Sequence, residues 1–167
     1  MKLSLRKFNF RLLLLLIVPF FTISALAEKN VKYFEALSTS PAYNYSYVSP
    51  AMLKMWGDTY ISGTSQAYNN LPIQCKDLTS IENIFTQTEG QNEELWKIIH
   101  KIKKDKNMET LTTKKSDNYR YDVLVTLSKD GKKILNLMVV TQTGSDCVDV
   151  VYLEGKVPLE SIQYTFY

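Results

Sequence analysis

The stretch YRYDVLVTLSKDGKKILNLMVVTQTGSDCVDVVYL, residues 119–153, decides the fold. Its first part alternates, with Tyr119, Tyr121, Val123, Val125 and Leu127 on one side of an extended chain and Arg120, Asp122, Leu124 and Thr126 on the other. Successive strand side chains point to opposite faces, so a period of two predicts a half-buried strand. Lys129-Asp130-Gly131-Lys132 predicts a hairpin, because Asp-Gly can take the positive φ angles of a type I′ turn. From Ile134 to Thr141 both faces are apolar except at Asn136, which suits a central strand. Thr143-Gly144-Ser145-Asp146 then turns the chain into Cys147–Leu153. The expectation is a three-strand antiparallel meander.

Working outward, Leu95, Ile98, Ile99 and Ile102 recur at the spacing of one helix face and predict a helix packed on that sheet. Asn92 is placed to cap it, Glu93 and Glu94 fall in its first turn, and Lys101, Lys103, Lys104 and Lys106 in its last, all matching the helix dipole. A polar turn, Thr88–Gln91, separates it from a strand at Leu78–Thr86. Asp58–Lys76, rich in Ser, Thr, Gly, Asn and Gln, is a long loop. Ser49 is a good N-cap and Pro50 a good first helical residue for a short helix ending before Gly57, with Met52, Met55 and Trp56 facing inward. Before it, Tyr43, Tyr45 and Tyr47 alternate with Asn44, Ser46 and Val48 as a strand would, and Val31, Phe34 and Leu37 share one face of an amphipathic turn. Gly155-Lys156-Val157-Pro158 leads into a closing helix near Leu159–Gln163. Together these give an α+β two-layer sandwich, a mainly antiparallel sheet with the C-terminal meander and helices packed on one face. The sheet's other face is either partly open or covered by the tyrosine-rich strand and the long loop.

The first 27 residues read as a cleavable signal peptide. Lys2, Arg6, Lys7 and Arg11 precede an uncharged run from Leu12 to Ala27 that ends in Ala25-Leu26-Ala27, the small-x-small pattern of a cleavage site. Interrupted by Pro19, that run is shorter than the roughly 20 apolar residues of a membrane span. No cysteine follows it to be lipidated, the first being Cys75. The expectation is a periplasmic or secreted domain, residues 28–167, without a lipid anchor or a stable membrane span. Four of the chain's 20 basic residues lie in the signal, leaving 16 against 17 acidic ones, a net charge near −1. A chain without a positive field gains little from counterion release, which argues against nucleic-acid binding. Cys75 and Cys147 are either a disulfide or two independent thiols; pairing would close a loop of about 70 residues, worth roughly 4 kcal/mol.

The inventory for chemistry is poor. His100 is the single histidine and sits off the apolar stripe, toward solvent. No EF-hand loop, HExxH, paired-cysteine spacing, GxSxG elbow or P-loop is present, so no metal or cofactor and no catalytic residue is expected. Gly63–Ser65 and Thr143–Ser145 are loop composition. Glu93 with Glu94 reads as helix N-terminal charge, and Asp146 with Asp149 as a carboxylate pair for a small hydrolase or as turn and rim charges. Tyr43, Tyr45 and Tyr47, with Trp56 nearby, form an aromatic set suited to stacking on a sugar or peptide, or else a covered one.

At Tyr47-Val48-Ser49-Pro50-Ala51-Met52, Leu78-Thr79-Ser80-Ile81, Tyr121 followed by Lys129-Asp130-Gly131, and Leu153-Glu154-Gly155 leading to Leu159 and Ile162, the chain resembles the exported Bacteroidetes proteins grouped as domain of unknown function 4252. These motifs are strand-to-helix junctions and a hairpin turn. The resemblance implies a small envelope domain of a Gram-negative bacterium and supplies no activity or site residue. The expected function is a non-enzymatic interaction or ligand-binding domain, with an envelope protein or small ligand as partner.

Overall fold

The alternation at residues 119–127 is realised as a strand in a computed structural model of the chain, which describes residues 31–61, 71–86, 92–145 and 147–162. The strands are β1 (Tyr43–Val48), β2 (Leu78–Thr86), β3 (Glu109–Ser116), β4 (Tyr119–Leu127), β5 (Lys133–Thr143) and β6 (Cys147–Pro158); the helices are α1 (Pro50–Trp56) and α2 (Asn92–Asp105). All six strands join in one sheet in the order β1-β2-β6-β5-β4-β3, every neighbouring pair antiparallel. The expected meander is present as β4–β6, and β5 is central, as its two apolar faces require. Residues 1–30, which include the expected signal peptide, 62–70, 87–91, where a polar turn was expected, Asp146 and 163–167 lie outside the described residues.

Three local readings change. Of Asp130 and Gly131 only Gly131 takes a positive φ, 70°, and its N–H donates to the Ser128 carbonyl, so a loop from Ser128 to Lys133 replaces the two-residue type I′ turn. The closing helix is a single 3-10 turn, Leu159–Ser161. The meander also gains a strand: β3 precedes β4 through the two-residue turn Asp117–Asn118. Its sequence, ETLTTKKS, is exposed almost throughout, so it lacks the apolar alternation by which the other strands announce themselves.

Alternation along the strands builds a core on each face of the sheet. On one, Ile84, Leu124, Met138, Val140, Val150 and Tyr152 meet Leu95, Ile99 and Ile102 of α2, with Phe34 and Leu37 of a 3-10 turn at Glu35–Leu37. Three residues of the predicted α2 stripe are buried, each contributing about 2 kcal/mol of apolar burial, and the fourth, Ile98, is half-buried against them. On the other face, Ile81, Val123, Leu137, Val139, Val151 and Leu153 are covered by Leu53 of α1, by Ile61, Leu71, Ile73 and Cys75, and by Ile162. The sandwich is thus the expected α+β class, but its two helices are divided between the faces. The second face is closed by the ends of the long loop, which zip together as Cys75 N–H donates to Thr59 and Ile61 N–H to Ile73.

The junctions follow local chemistry. Ser49 caps α1, its Oγ accepting from Met52 N–H, and Pro50 opens the helix. Leu53 is the residue that α1 buries, because the helix lies on β2 and the turn Cys75–Asp77; Met52, Met55 and Trp56, expected inward, are exposed. Asn92 is the first helical residue of α2, and its Nδ2 donates to the Ser145 carbonyl instead of capping its own helix. α2 ends in a Schellman motif: Asn107 adopts φ 49°, Met108 N–H reaches Lys103 O and Asn107 N–H reaches Lys104 O. Gly155 sits inside β6 where a Cβ would run into the Asp77 carbonyl and lie 2.8 Å from the Leu78 Cα, so the approach of β2 to β6 depends on glycine.

Candidate functional site

Six polar residues are buried among the described ones: Ser80, Glu82, Asn83, Thr86, Asp122 and Asn136. A buried polar group is costly unless hydrogen-bonded, so their partners show which are structural.

Ser80, Glu82, Asn136, Tyr152 and Glu154 share the α2 face because β2, β6 and β5 bring them to neighbouring register positions. Glu82 accepts three hydrogen bonds, from Tyr33 N–H (2.9 Å), Phe34 N–H (3.0 Å) and the Tyr45 hydroxyl (3.1 Å). Glu154 accepts from Lys106 Nζ (2.8 Å), Tyr152 OH (2.9 Å) and Ser80 Oγ (3.3 Å), and the Tyr152 hydroxyl also lies 2.8 Å from Asn136 Oδ1. Desolvation raises the pKa of Glu82, opposed by its three donors. Burial and then the Glu154 charge hold Tyr152 far above an ordinary phenol. For Lys106, burial works downward, but the Glu154 hydrogen bond and charge outweigh it and the ammonium is stabilised. Every carboxylate oxygen here is engaged from within the chain. The network fastens the segment before β1 and the end of α2 to the sheet.

The second constellation is open. Between α2 and strands β3–β4 lies a groove of about 80 Å³. Trp96, His100 and Lys103 come from α2, Thr110 and Thr113 from β3, and Arg120 and Asp122 from β4, over a floor of Ile99, Leu124 and Val140. Asp122 is held by Arg120 Nε (2.7 Å) and Thr113 Oγ1 (2.8 Å). The Arg120 guanidinium lies 5.1 Å from the centre of the Trp96 ring, and Trp96 lies 6.0 Å from His100. The Asp122 bond uses Nε, so both Nη nitrogens keep N–H groups for other acceptors. Lys103 Nζ reaches Thr110 Oγ1 at 3.5 Å, carrying a second cation to the rim. With its guanidinium over the Trp96 ring and its Nε bonded to Asp122, Arg120 is oriented by two partners, which suits recognition of an anionic planar group such as a carboxylate. Arg120 and Asp122 lie on the same side of β4 as the buried Leu124, a side that packs toward α2, which the sequence shows only as polar positions beside a leucine.

The residues singled out in the sequence are not gathered into one site. Tyr43 is buried in the α2-side core, Tyr45 is tied to Glu82, and Tyr47 is half-buried with Lys32 Nζ 4.7 Å from its ring centre. Trp56 rides on α1 over the opposite face. Asp149 accepts from Asn83 Nδ2 (2.8 Å), while Asp146 lies outside the described residues. Cys75 is buried and Cys147 exposed, and both are free. They lie near opposite ends of β6, the first next to a strand that starts opposite Gly155; eight residues of strand separate those ends by about 25 Å, far beyond disulfide reach. His100, expected toward solvent, is exposed on the groove rim.

Among the described residues no helix is long and apolar enough to cross a membrane, and no group of three or more His, Cys, Asp and Glu side chains is placed to hold a metal ion. Neither the curated proteins nor the solved structures compared with the chain include a match. A family model does match, over residues 38–164, which takes in all six strands and both helices. The chain belongs to the family described as domain of unknown function DUF4252.

Proposed function

We propose that the protein is an exported, non-enzymatic binding domain whose ligand site is the groove between α2 and β3–β4. The observation that carries the reading is the contrast between the two polar constellations. The buried carboxylates Glu82 and Asp122 and the half-buried Glu154 are engaged by donors of the same chain, whereas Arg120 and Lys103 present donors at a groove rim beside Trp96. General acid–base or nucleophilic catalysis needs a group with an open coordination partner in reach of substrate; recognition of an anion needs only fixed donors. The hydrolase alternative built on Asp146 and Asp149 draws no support from Asp149, which is bonded to Asn83.

The test is to titrate the purified protein with small aromatic and aliphatic carboxylates while following Trp96 fluorescence in a Trp56→Phe background. Saturable quenching that disappears in Arg120→Ala is the expected result; turnover of ester, glycoside or peptide substrates without such binding overturns it. Export rests on the signal-like residues 1–27. A mature protein beginning at Glu28 in the envelope or medium is the expected finding, and an intact N-terminus confined to the cytoplasm sinks that part.

A further inference from the structure

β3 ends the sheet. Among the described residues it pairs with β4 alone, so its outer side carries a row of backbone N–H and C=O groups without a strand partner. Such an edge is a template for another extended chain. The ladder with β4 is regular from Thr112 to Ser116, and the shift between Thr110 and Thr112 leaves Leu111 exposed at the near end. The regular stretch reads Thr112-Thr113-Lys114-Lys115-Ser116, strand-forming and doubly cationic.

Charge decides among the occupants. Pairing with a second copy about a two-fold axis centred on the regular stretch sets Lys114 against Lys114, and like charges directly opposite destabilise a ladder. An acidic strand meets the reverse situation. One side of it faces Lys115, which shares a face with Arg120 by register, and Lys103, which reaches β3 at Thr110; the other side faces Lys114. We infer that the outer edge of β3 receives an extended acidic segment of a partner protein, which adds a seventh strand and directs a carboxylate toward Arg120 in the groove. The inference rests on the groove's being the binding site and adds the class of partner and the manner of docking. In this arrangement the two lysines act twice, blocking self-association and selecting an acidic strand.

The probe is a capped seven-residue peptide alternating Glu with Thr and Val, compared with its Lys counterpart and with two versions N-methylated on alternate residues, one for each peptide edge. Binding is read from Trp96 fluorescence in the Trp56→Phe protein and from hydrogen exchange of the backbone amides of Thr112–Ser116. The expected result is saturable binding of the acidic peptide, at least tenfold weaker for the Lys peptide and for the Lys114→Glu, Lys115→Glu protein. One N-methylated version should bind like the parent and the other not, with slowed exchange on β3. Equal binding of both N-methylated versions with a Trp96 response overturns strand addition while leaving the groove as a carboxylate site. Loss of binding to small carboxylates as well removes the groove reading itself. Dimerisation of the protein through β3 in the absence of peptide also overturns the inference.

Discussion

Glu82 shows how one side chain can hold a segment that no sequence pattern assigns to it. Its carboxylate collects two backbone N–H groups and a phenol while only 1% of the residue is exposed. Removing it in Glu82→Ala leaves the buried Phe34 N–H without an acceptor, and a loss of about 2–3 kcal/mol in denaturant unfolding is expected. Its acidity gives a separate signature. Burial raises the folded pKa above 4.5, so over the interval from 4.5 up to the folded value the native state binds more protons than the unfolded one. Stability from this group is therefore full below that interval and lost as pH rises through it. Wild type should lose stability relative to Glu82→Gln as pH rises from about 4.5 toward neutrality; parallel stability curves for the two proteins would contradict this. The cysteines give a third test: Cys147 should react with a thiol reagent in the native protein and Cys75 only after unfolding, as mass spectrometry of labelled peptides would show.

At the scale of elements, α1 separates what its sequence specifies from what it leaves open. Ser49 and Pro50 set where the helix starts, and Ser49→Ala should cost about 1 kcal/mol. They do not set its rotation. Met52, Met55 and Trp56 match an i, i+3, i+4 stripe as well as Leu53 suits its single buried position, and only the placement of β2 and the Cys75–Asp77 turn chooses between them. Leu53→Ala should therefore cost about 2–5 kcal/mol and Met55→Ala, at a residue 81% exposed, under about 0.5 kcal/mol, in the same unfolding assay. Legibility follows the same division elsewhere. β4 and the α2 stripe were readable from a periodic apolar face, and β5 and β6 from apolar runs buried on both faces. β3 was not, since an edge strand exposed on both sides has no such periodicity; its Thr110, Thr112 and Thr113 were the available hint. The groove escaped because its parts come from three elements that meet only in the folded sheet. The paired Arg120 and Asp122 beside Leu124 were visible only as polar positions.

In the whole molecule, the two halves of the chain meet along β2 and β6. Their ladder runs from Leu78 opposite Gly155 to Thr86 opposite Val148, next to the point where Gly155 lets the Asp77–Leu78 backbone come close. Gly155→Ala forces backbone apart at that contact, and a loss of about 3 kcal/mol or more is expected, with hydrogen exchange accelerated in β1 and β2 before the β3–β5 meander. The same ladder sets the order in which the protein can be made. β6, last of the strands to leave the ribosome, occupies the middle of the sheet, so β1 and β2 have no place to dock while β3–β5 are already complete. A nascent chain that has not yet delivered residue 147 carries β1 and β2 unanchored. Docking of β1 and β2 therefore waits for β6, and until then their backbone edges stay available to other binders, a chaperone among them.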